Sequence, residues 1–307
     1  MAHSSRIRTD IDLAIPSTLI LNASRTKRGG SVYGIRTALL LAVIMALCFL
    51  IKYATAEDGD LKLCFPIGET LTYKLKWGLL TVGEAELTSK WIERDGRRLI
   101  ALSAKAMTGN IIAKIYPVED HIESIVDPED FRPIVYTQRL REGNHVRHDV
   151  TRFEYDKERA ICVSHIDQTT KIIRINNNIR DVLSLLYYMR SKSFGAGQRV
   201  EFQVLVDDEI FELAVEGIDY DIIKVYNAGK IKCLRVRPHA KFGGIFSRGG
   251  TVQIWFSDDR RRICTAMKGK VPMAHMRASL RNVSGPGANT WPGPEIRFDN
   301  AEVNSDD

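Results

Sequence analysis

The chain has 307 residues, and 44% of them are apolar, a composition typical of a soluble globular protein with a sizeable core and not of a disordered chain. Its formal charge is +6, but residues 1–56 hold seven Lys or Arg and two acidic residues, so residues 57–307 carry only +1. A nearly neutral domain has no electrostatic basis for holding nucleic acid, and we exclude that class of partner.

The basic residues precede an apolar run, Ala38–Ile51, that is followed by an Ala-x-Ala motif, Ala54 and Ala56. A basic flank, a short apolar core and such a motif predict a signal peptide over 37–56, cut before Glu57. The run has 14 residues, fewer than the roughly 20 that a membrane-spanning helix needs; an uncleaved inner-membrane anchor is the alternative. Either way the secretion machinery is a partner, and the domain works outside the cytoplasm, in the periplasm or cell envelope.

Four segments follow from this interpretation. Residues 1–36 form a polar, basic tail that is predicted to be disordered, and 37–56 are the signal peptide or anchor. Residues 57–283 form one β-rich exported domain, within the size that a single all-β domain reaches. Residues 284–307 contain Gly-Pro-Gly and Trp-Pro-Gly-Pro sequences and are predicted to form a mobile tail.

Strands are predicted through most of the domain. The clearest is Thr70–Trp77, in which every second residue is apolar, the pattern of a half-buried strand. Turn sequences such as Asp95-Gly96 separate similar runs, so we expect an antiparallel curved sheet or a half-open β-barrel. The further predicted strands are Leu99–Met107, His121–Val126, Pro133–Leu140, His145–Tyr155, Ala160–His165, Val200–Val206, Phe211–Val215, Asp221–Tyr226, Ile231–Arg237, Thr251–Phe256, Ile263–Lys268 and Met273–Leu280.

One segment, Asp181–Arg190, has a different period. Its apolar residues recur at helical spacing, and Asp181 can cap the first turn. We therefore predict the only substantial helix of the domain here, packed against one face or the mouth of the sheet.

No motif predicts catalysis. The glycine-rich segment Lys241–Gly250 lacks the Lys-Ser/Thr pair of a phosphate loop and is interpreted as a flexible connection. Ser257–Arg260 is typical of a hairpin turn. His145 and His148 would face opposite sides of a strand, so no metal site is predicted, and no cofactor is expected.

Four cysteines follow the signal segment, in a compartment that permits disulfides. Four cysteines allow three pairings, and the sequence does not choose among them. Buried free thiols that pack as small apolar side chains are the alternative. The four residues are Cys64, Cys162, Cys233 and Cys264.

Aromatic side chains are the remaining candidates for a site. We expect Tyr73, Trp77, Tyr187 and Trp255 to line the inside of the curved sheet, where they would contact an apolar ligand. An ordinary packed core is the alternative use of these residues.

Several motifs resemble those of an exported bacterial family known as DUF3108, a domain of unknown function. They are Gly68-Glu69-x-Leu71-x-Tyr73, Asp181-Val-Leu-Ser184 through Arg190, and Phe246-x-x-Gly249 leading into Ile254–Arg261. The likeness covers most of Pro66–Leu280. It implies a β-rich domain of the cell envelope and supplies no catalytic residues.

The function we favour is therefore non-enzymatic. The domain would bind an apolar or amphipathic component of the envelope, such as a lipid or a lipid-linked glycan. A structural or assembly protein that acts through its surface, for example around Trp291, is the second hypothesis. An enzyme that uses Asp258 and Asp259, or Asp181, is the third.

Overall fold

The computed structural model of the protein describes residues 63–241, 252–271 and 274–298. The predicted tail 1–36, the signal segment 37–56 with its cleavage site, and residues 299–307 lie outside this part of the chain. Most of the glycine-rich segment 241–250 lies outside it as well. None of the helices in the described ranges is long and apolar enough to cross a membrane.

The described residues form sixteen strands and two α-helices. The strands are β1 (Thr70–Trp77), β2 (Leu80–Arg94), β3 (Arg97–Thr108), β4 (Glu119–Val126), β5 (Pro133–Glu142), β6 (His145–Glu154), β7 (Arg159–Ser164), β8 (Thr169–Arg174), β9 (Ile179–Arg180), β10 (Arg199–Val206), β11 (Glu209–Val225), β12 (Gly229–Lys241), β13 (Val252–Ser257), β14 (Cys264–Val271), β15 (Ala274–Ser284) and β16 (Arg297–Phe298). The helices are α1 (Asn110–Ala113) and α2 (Val182–Ser191).

The strands belong to one open sheet. From β1 to β8 and from β10 to β15, each strand pairs antiparallel with its neighbour in sequence. β1 also pairs with β15 from Thr70↔Ser284 to Trp77↔Met276, and this pairing joins the two series. The prediction of a mainly β, curved antiparallel sheet is confirmed, and the sheet is open, with β8 and β9 at its edges.

The buried face of β1 follows from its alternating sequence. Leu71, Tyr73 and Leu75 are buried, while Thr70, Thr72 and the lysines between them are only partly covered. The boundaries of this strand match the prediction. Because side chains alternate between faces, the three buried residues mark the inner face of the sheet.

Helix α2 covers the inner face. Residues Val182 to Arg190 are all buried, and the helix contacts β3, β4 and β10. Strands β4 and β10 are far apart in the sheet, so the helix bridges distant parts of the curved surface. The prediction of a packed helix at this position is confirmed.

Several elements differ from the sequence-based expectation. Strand β11 continues through Gly217, where a bulge replaces the predicted break, and β8 was not predicted. The predicted mobile tail is ordered through Phe298: Trp291 and Ile296 are buried in the core, and β16 pairs with β12. Apolar side chains in a Pro/Gly-rich segment thus bury against the sheet, a contact that turn composition does not reveal.

Candidate functional site

The start of α2 is held by a buried capping box. The Asp181 carboxylate accepts hydrogen bonds from the backbone N–H groups of Leu183 at 2.9 Å and Ser184 at 2.8 Å. Ser124 on β4 donates its hydroxyl to the other carboxylate oxygen at 2.6 Å. Burial raises the pKa of Asp181, and these hydrogen bonds oppose the rise. All partners of Asp181 are structural, which argues against the catalytic role considered for it.

The end of α2 is held by an ion cluster made of Glu69, Arg190 and Arg261. The Arg190 guanidinium lies 2.6 Å and 3.1 Å from the two carboxylate oxygens of Glu69, and Arg261 donates to the same carboxylate at 2.6 Å. Burial alone would raise the pKa of Glu69, but the two guanidinium groups outweigh it and lower that pKa. The cluster therefore links three parts of the fold: the residue that precedes β1, the end of α2 and the β13–β14 turn.

An apolar cavity lies on the inner face of β1–β4, β14 and β15, with a volume of about 90 Å³. It exists because small residues occupy neighbouring positions on these strands and leave space between larger neighbours. The small residues are Gly83, Ala85, Ala104, Ala106 and Ala278; Leu75, Met267, Met276 and Ile122 complete much of the wall. We call this space the apolar cavity.

Asp120 is the acidic residue in the wall of the apolar cavity. It is buried on β4, and one of its carboxylate oxygens accepts a hydrogen bond from the backbone N–H of Arg141 at 3.1 Å. Burial raises its pKa to about 6, and the hydrogen bond only partly opposes this. A carboxyl in an apolar wall can donate or accept a hydrogen bond, depending on pH, and so can fix a polar group of a ligand.

A second, polar groove of about 350 Å³ lies between β5–β8 and the β10–β11 turn. Its charged groups form ion pairs between strands near one edge of the sheet and the β10–β11 turn near the other edge. Arg147 pairs with Asp207 at 2.6 Å, and Lys171 pairs with Asp208. His148 packs on His165 with ring centroids 4.5 Å apart. Among the described residues, no cluster of three or more side chains is arranged to hold a metal ion.

The four predicted ligand-binding aromatics do not converge. Tyr73 lines the apolar cavity with its ring and donates its hydroxyl to the carbonyl of Cys264 at 2.8 Å. Trp77 lies on the same face of β1, two residues beyond Leu75, and is 36% exposed. Tyr187 is buried in α2, and Trp255 is buried in the core, where its indole N–H donates to Asp221 at 3.1 Å.

The other candidate residues have structural environments. The four cysteines are free thiols, with Cys233 and Cys264 in the core, so no disulfide forms in this structure. The segment around Asp258 and Asp259 is the predicted turn, in which Asp259 accepts hydrogen bonds from Ser257 and Arg262. Asp258 pairs with Lys232. These two carboxylates therefore have partners other than a substrate.

Sequence reasoning missed Glu69 and Asp120. Glu69, Arg190 and Arg261 each lie in a segment that carries the family resemblance, so that likeness contained a signal for the ion cluster. Asp120 has no such signal, because an acidic residue in a strand ordinarily faces solvent. The small residues alternate in Gly83–Ala85 and Ala104–Ala106, a pattern that could have indicated the cavity.

Comparisons with known proteins agree with this architecture. The model of the family described as "Protein of unknown function (DUF3108)" matches residues 72–281. The crystal structure of a beta-barrel-like protein of domain of unknown function DUF1849 from Brucella abortus has a TM-score of 0.52 at 8% identity, and covers 71% of this chain and 97% of that one. This likeness concerns the fold alone.

A further solved structure, described as "a putative lipoprotein from Parabacteroides distasonis", has a TM-score of 0.29 at 11% identity and covers 74% of this chain and 100% of that one. No curated protein matches the chain.

Proposed function

Because the chain belongs to DUF3108, a family whose name assigns no activity, we propose its function from the apolar cavity: it is an exported, non-enzymatic envelope protein that binds the apolar end of an amphipathic molecule. Export is supported by the sequence of residues 38–56. The ligand class is a lipid or a lipid-linked glycan.

The observation that carries the proposal is an apolar wall with one buried carboxyl group in it. A volume of about 90 Å³ compares with roughly 30 Å³ for one water in the liquid, so the cavity takes only the end of a hydrocarbon chain. Methionine side chains at positions 267 and 276 can adapt to such a chain. Asp120 is placed to hydrogen-bond a hydroxyl or amine near that end.

The test is binding of a fluorescent dye, a dansyl-labelled dodecylamine whose free hydrocarbon end is narrow enough to enter the cavity, to the full chain and to Ala106→Leu. The larger leucine side chain occupies the cavity and displaces methylene groups of the dye. Each displaced methylene group costs roughly 0.8 kcal/mol of binding free energy, so we expect the dissociation constant to rise by about tenfold or more. Ala196→Leu, in an exposed turn, is the matched control. Native mass spectrometry of the protein as purified would then identify a co-purified ligand.

Equal dye binding by the wild type and Ala106→Leu, with both variants folded, would show that the cavity is not the binding site. Should Ala106→Leu fail to fold, Ala278→Leu probes the same wall from β15. Dye binding by residues 38–51 affects all variants equally and cancels in the comparison.

A further inference from the structure

Five large apolar side chains project from one end of the sheet. We call them the apolar rim: Trp77, Leu79, Leu80, Ile111 and Ile115. Leu79 is 99% exposed, Ile111 79% and Ile115 82%, although each is a residue type that proteins usually bury. Single exposed apolar residues are ordinary, but a contiguous group marks an interaction surface.

The rim residues lie at the same end of the sheet because the elements that carry them are neighbours. The Gly78 N–H donates to the His275 carbonyl at 2.8 Å, which fixes the β1–β2 turn beside β15. The Gly109 N–H donates to the Val82 carbonyl at 2.9 Å, which places the start of α1 beside β2. The turn and the helix therefore present their apolar side chains at the same end of the sheet, next to the end of the apolar cavity at Leu75, Val82 and Met276.

Basic residues surround this end. Arg277 on β15 lies between Lys76 on β1 and Lys268 on β14, opposite both of them. Lys270 is also on β14. Lys114 comes directly after α1. In the described part of the chain none of these five forms an ion pair. The acidic residues nearby are Glu84 and Glu119, each opposite Met107. Two buried acidic residues, Asp120 and Glu142, lie deeper beside the cavity. The five basic residues outnumber these four, so the balance is positive.

We propose that the apolar rim docks on the surface of an anionic phospholipid bilayer. An apolar tip framed by unpaired Lys and Arg is complementary to such a surface: the tip enters the boundary between headgroups and acyl chains, and the cations meet lipid phosphates. An acidic protein would match the cations but not the nearly fully exposed aliphatic tip. The docked orientation also directs the apolar cavity toward the membrane, where an amphipathic ligand resides.

Hydrogen exchange read by mass spectrometry tests this on the full chain. We expect slower exchange in peptides covering residues 76–82 and 109–116 when vesicles of phosphatidylethanolamine and phosphatidylglycerol are added, and no change with phosphatidylcholine alone. We expect Lys76→Gln and Lys270→Gln each to raise the lipid concentration for half-maximal protection about fivefold. This is the change expected when the attraction of one basic residue to an anionic surface is lost. Leu79→Asp abolishes the protection.

The controls are Ile172→Asp, an exposed isoleucine on β8, and Lys224→Gln, an exposed lysine on β11; neither should change the protection. Equal protection by both kinds of vesicle, or protection without vesicles that rises with protein concentration, would overturn the proposal. Attachment through residues 38–51 does not produce the signal, since exchange is measured peptide by peptide. The readout is independent of dye binding, so either proposal can fail alone.

Discussion

At the scale of single residues, Asp120 is a carboxyl group in an apolar wall. Its raised pKa means that the folded protein binds the proton more tightly than the unfolded chain does. The contribution of Asp120 to the free energy of unfolding is therefore full below its unfolded pKa of 3.8 and is lost as pH rises toward about 6. Above that pH, the folded protein holds a buried charge.

This predicts the effect of Asp120→Asn, which resembles the protonated form at every pH. The difference in unfolding free energy between wild type and variant should change by about 2–3 kcal/mol from pH 4 to pH 7, in favour of the variant at the higher pH. Urea unfolding across this range measures it. Asp95→Asn changes a largely exposed turn residue, so its free energy of unfolding should differ from that of the wild type by the same amount at every pH. A difference between Asp120→Asn and the wild type that does not change with pH would contradict the prediction.

Glu69 is a second decisive residue, because it is the shared acceptor of two guanidinium groups in the core. Glu69→Gln leaves Arg190 buried without a counter-charge, and we expect the free energy of unfolding to fall by about 3–5 kcal/mol. Denaturant unfolding measures the loss. Glu84→Gln, on the exposed face of β2, should stay within about 0.5 kcal/mol of the wild type.

The double variant Glu69→Gln with Arg190→Met separates a buried charge from a general loss of packing. It should be more stable than Glu69→Gln alone, because the unpaired charge is gone. If both variants are equally unstable, the ion cluster is not the cause.

At the scale of elements, the approach of β2 to β3 depends on a residue without a side chain. A Cβ placed on Gly83 would lie 2.0 Å from the carbonyl oxygen of Met107, which is part of the backbone and cannot turn aside. This close approach forms one side of the apolar cavity.

We therefore expect Gly83→Ala to lower the free energy of unfolding by about 1–3 kcal/mol and to weaken dye binding, because the strands must separate. Thermal and urea unfolding, with the dye titration, provide the measurement. Gly109→Ala is the matched control, since its Cβ would meet nothing closer than a carbonyl at 4.0 Å. Similar losses in both variants would mean that the clash is not decisive.

At the scale of the whole molecule, the pairing of β1 with β15 and the burial of Trp291 and Ile296 couple the two ends of the domain. Trp291→Ala should therefore destabilise the whole sheet by about 3 kcal/mol, and unfolding should remain one transition by circular dichroism and by fluorescence. Trp91→Ala, at a half-exposed position where Arg98 covers the ring, should cost only about 1 kcal/mol. A local loss of structure with an unchanged midpoint would show that the segment is an appendage.

The class of fold, most strand positions and the helix were predictable from the amino-acid sequence, because they depend on local periodicity: alternation in Thr70–Trp77 and helical spacing in Asp181–Arg190. Which residues share a site became evident only once the chain was folded. The alternation of apolar residues indicates that Tyr73 and Trp255 face inward. It does not indicate that Tyr73 lines the apolar cavity whereas Trp255 packs in the core. Glu69 and Arg190 lie 121 positions apart, and no local pattern predicts a pair that the packing of helix α2 against the sheet brings together.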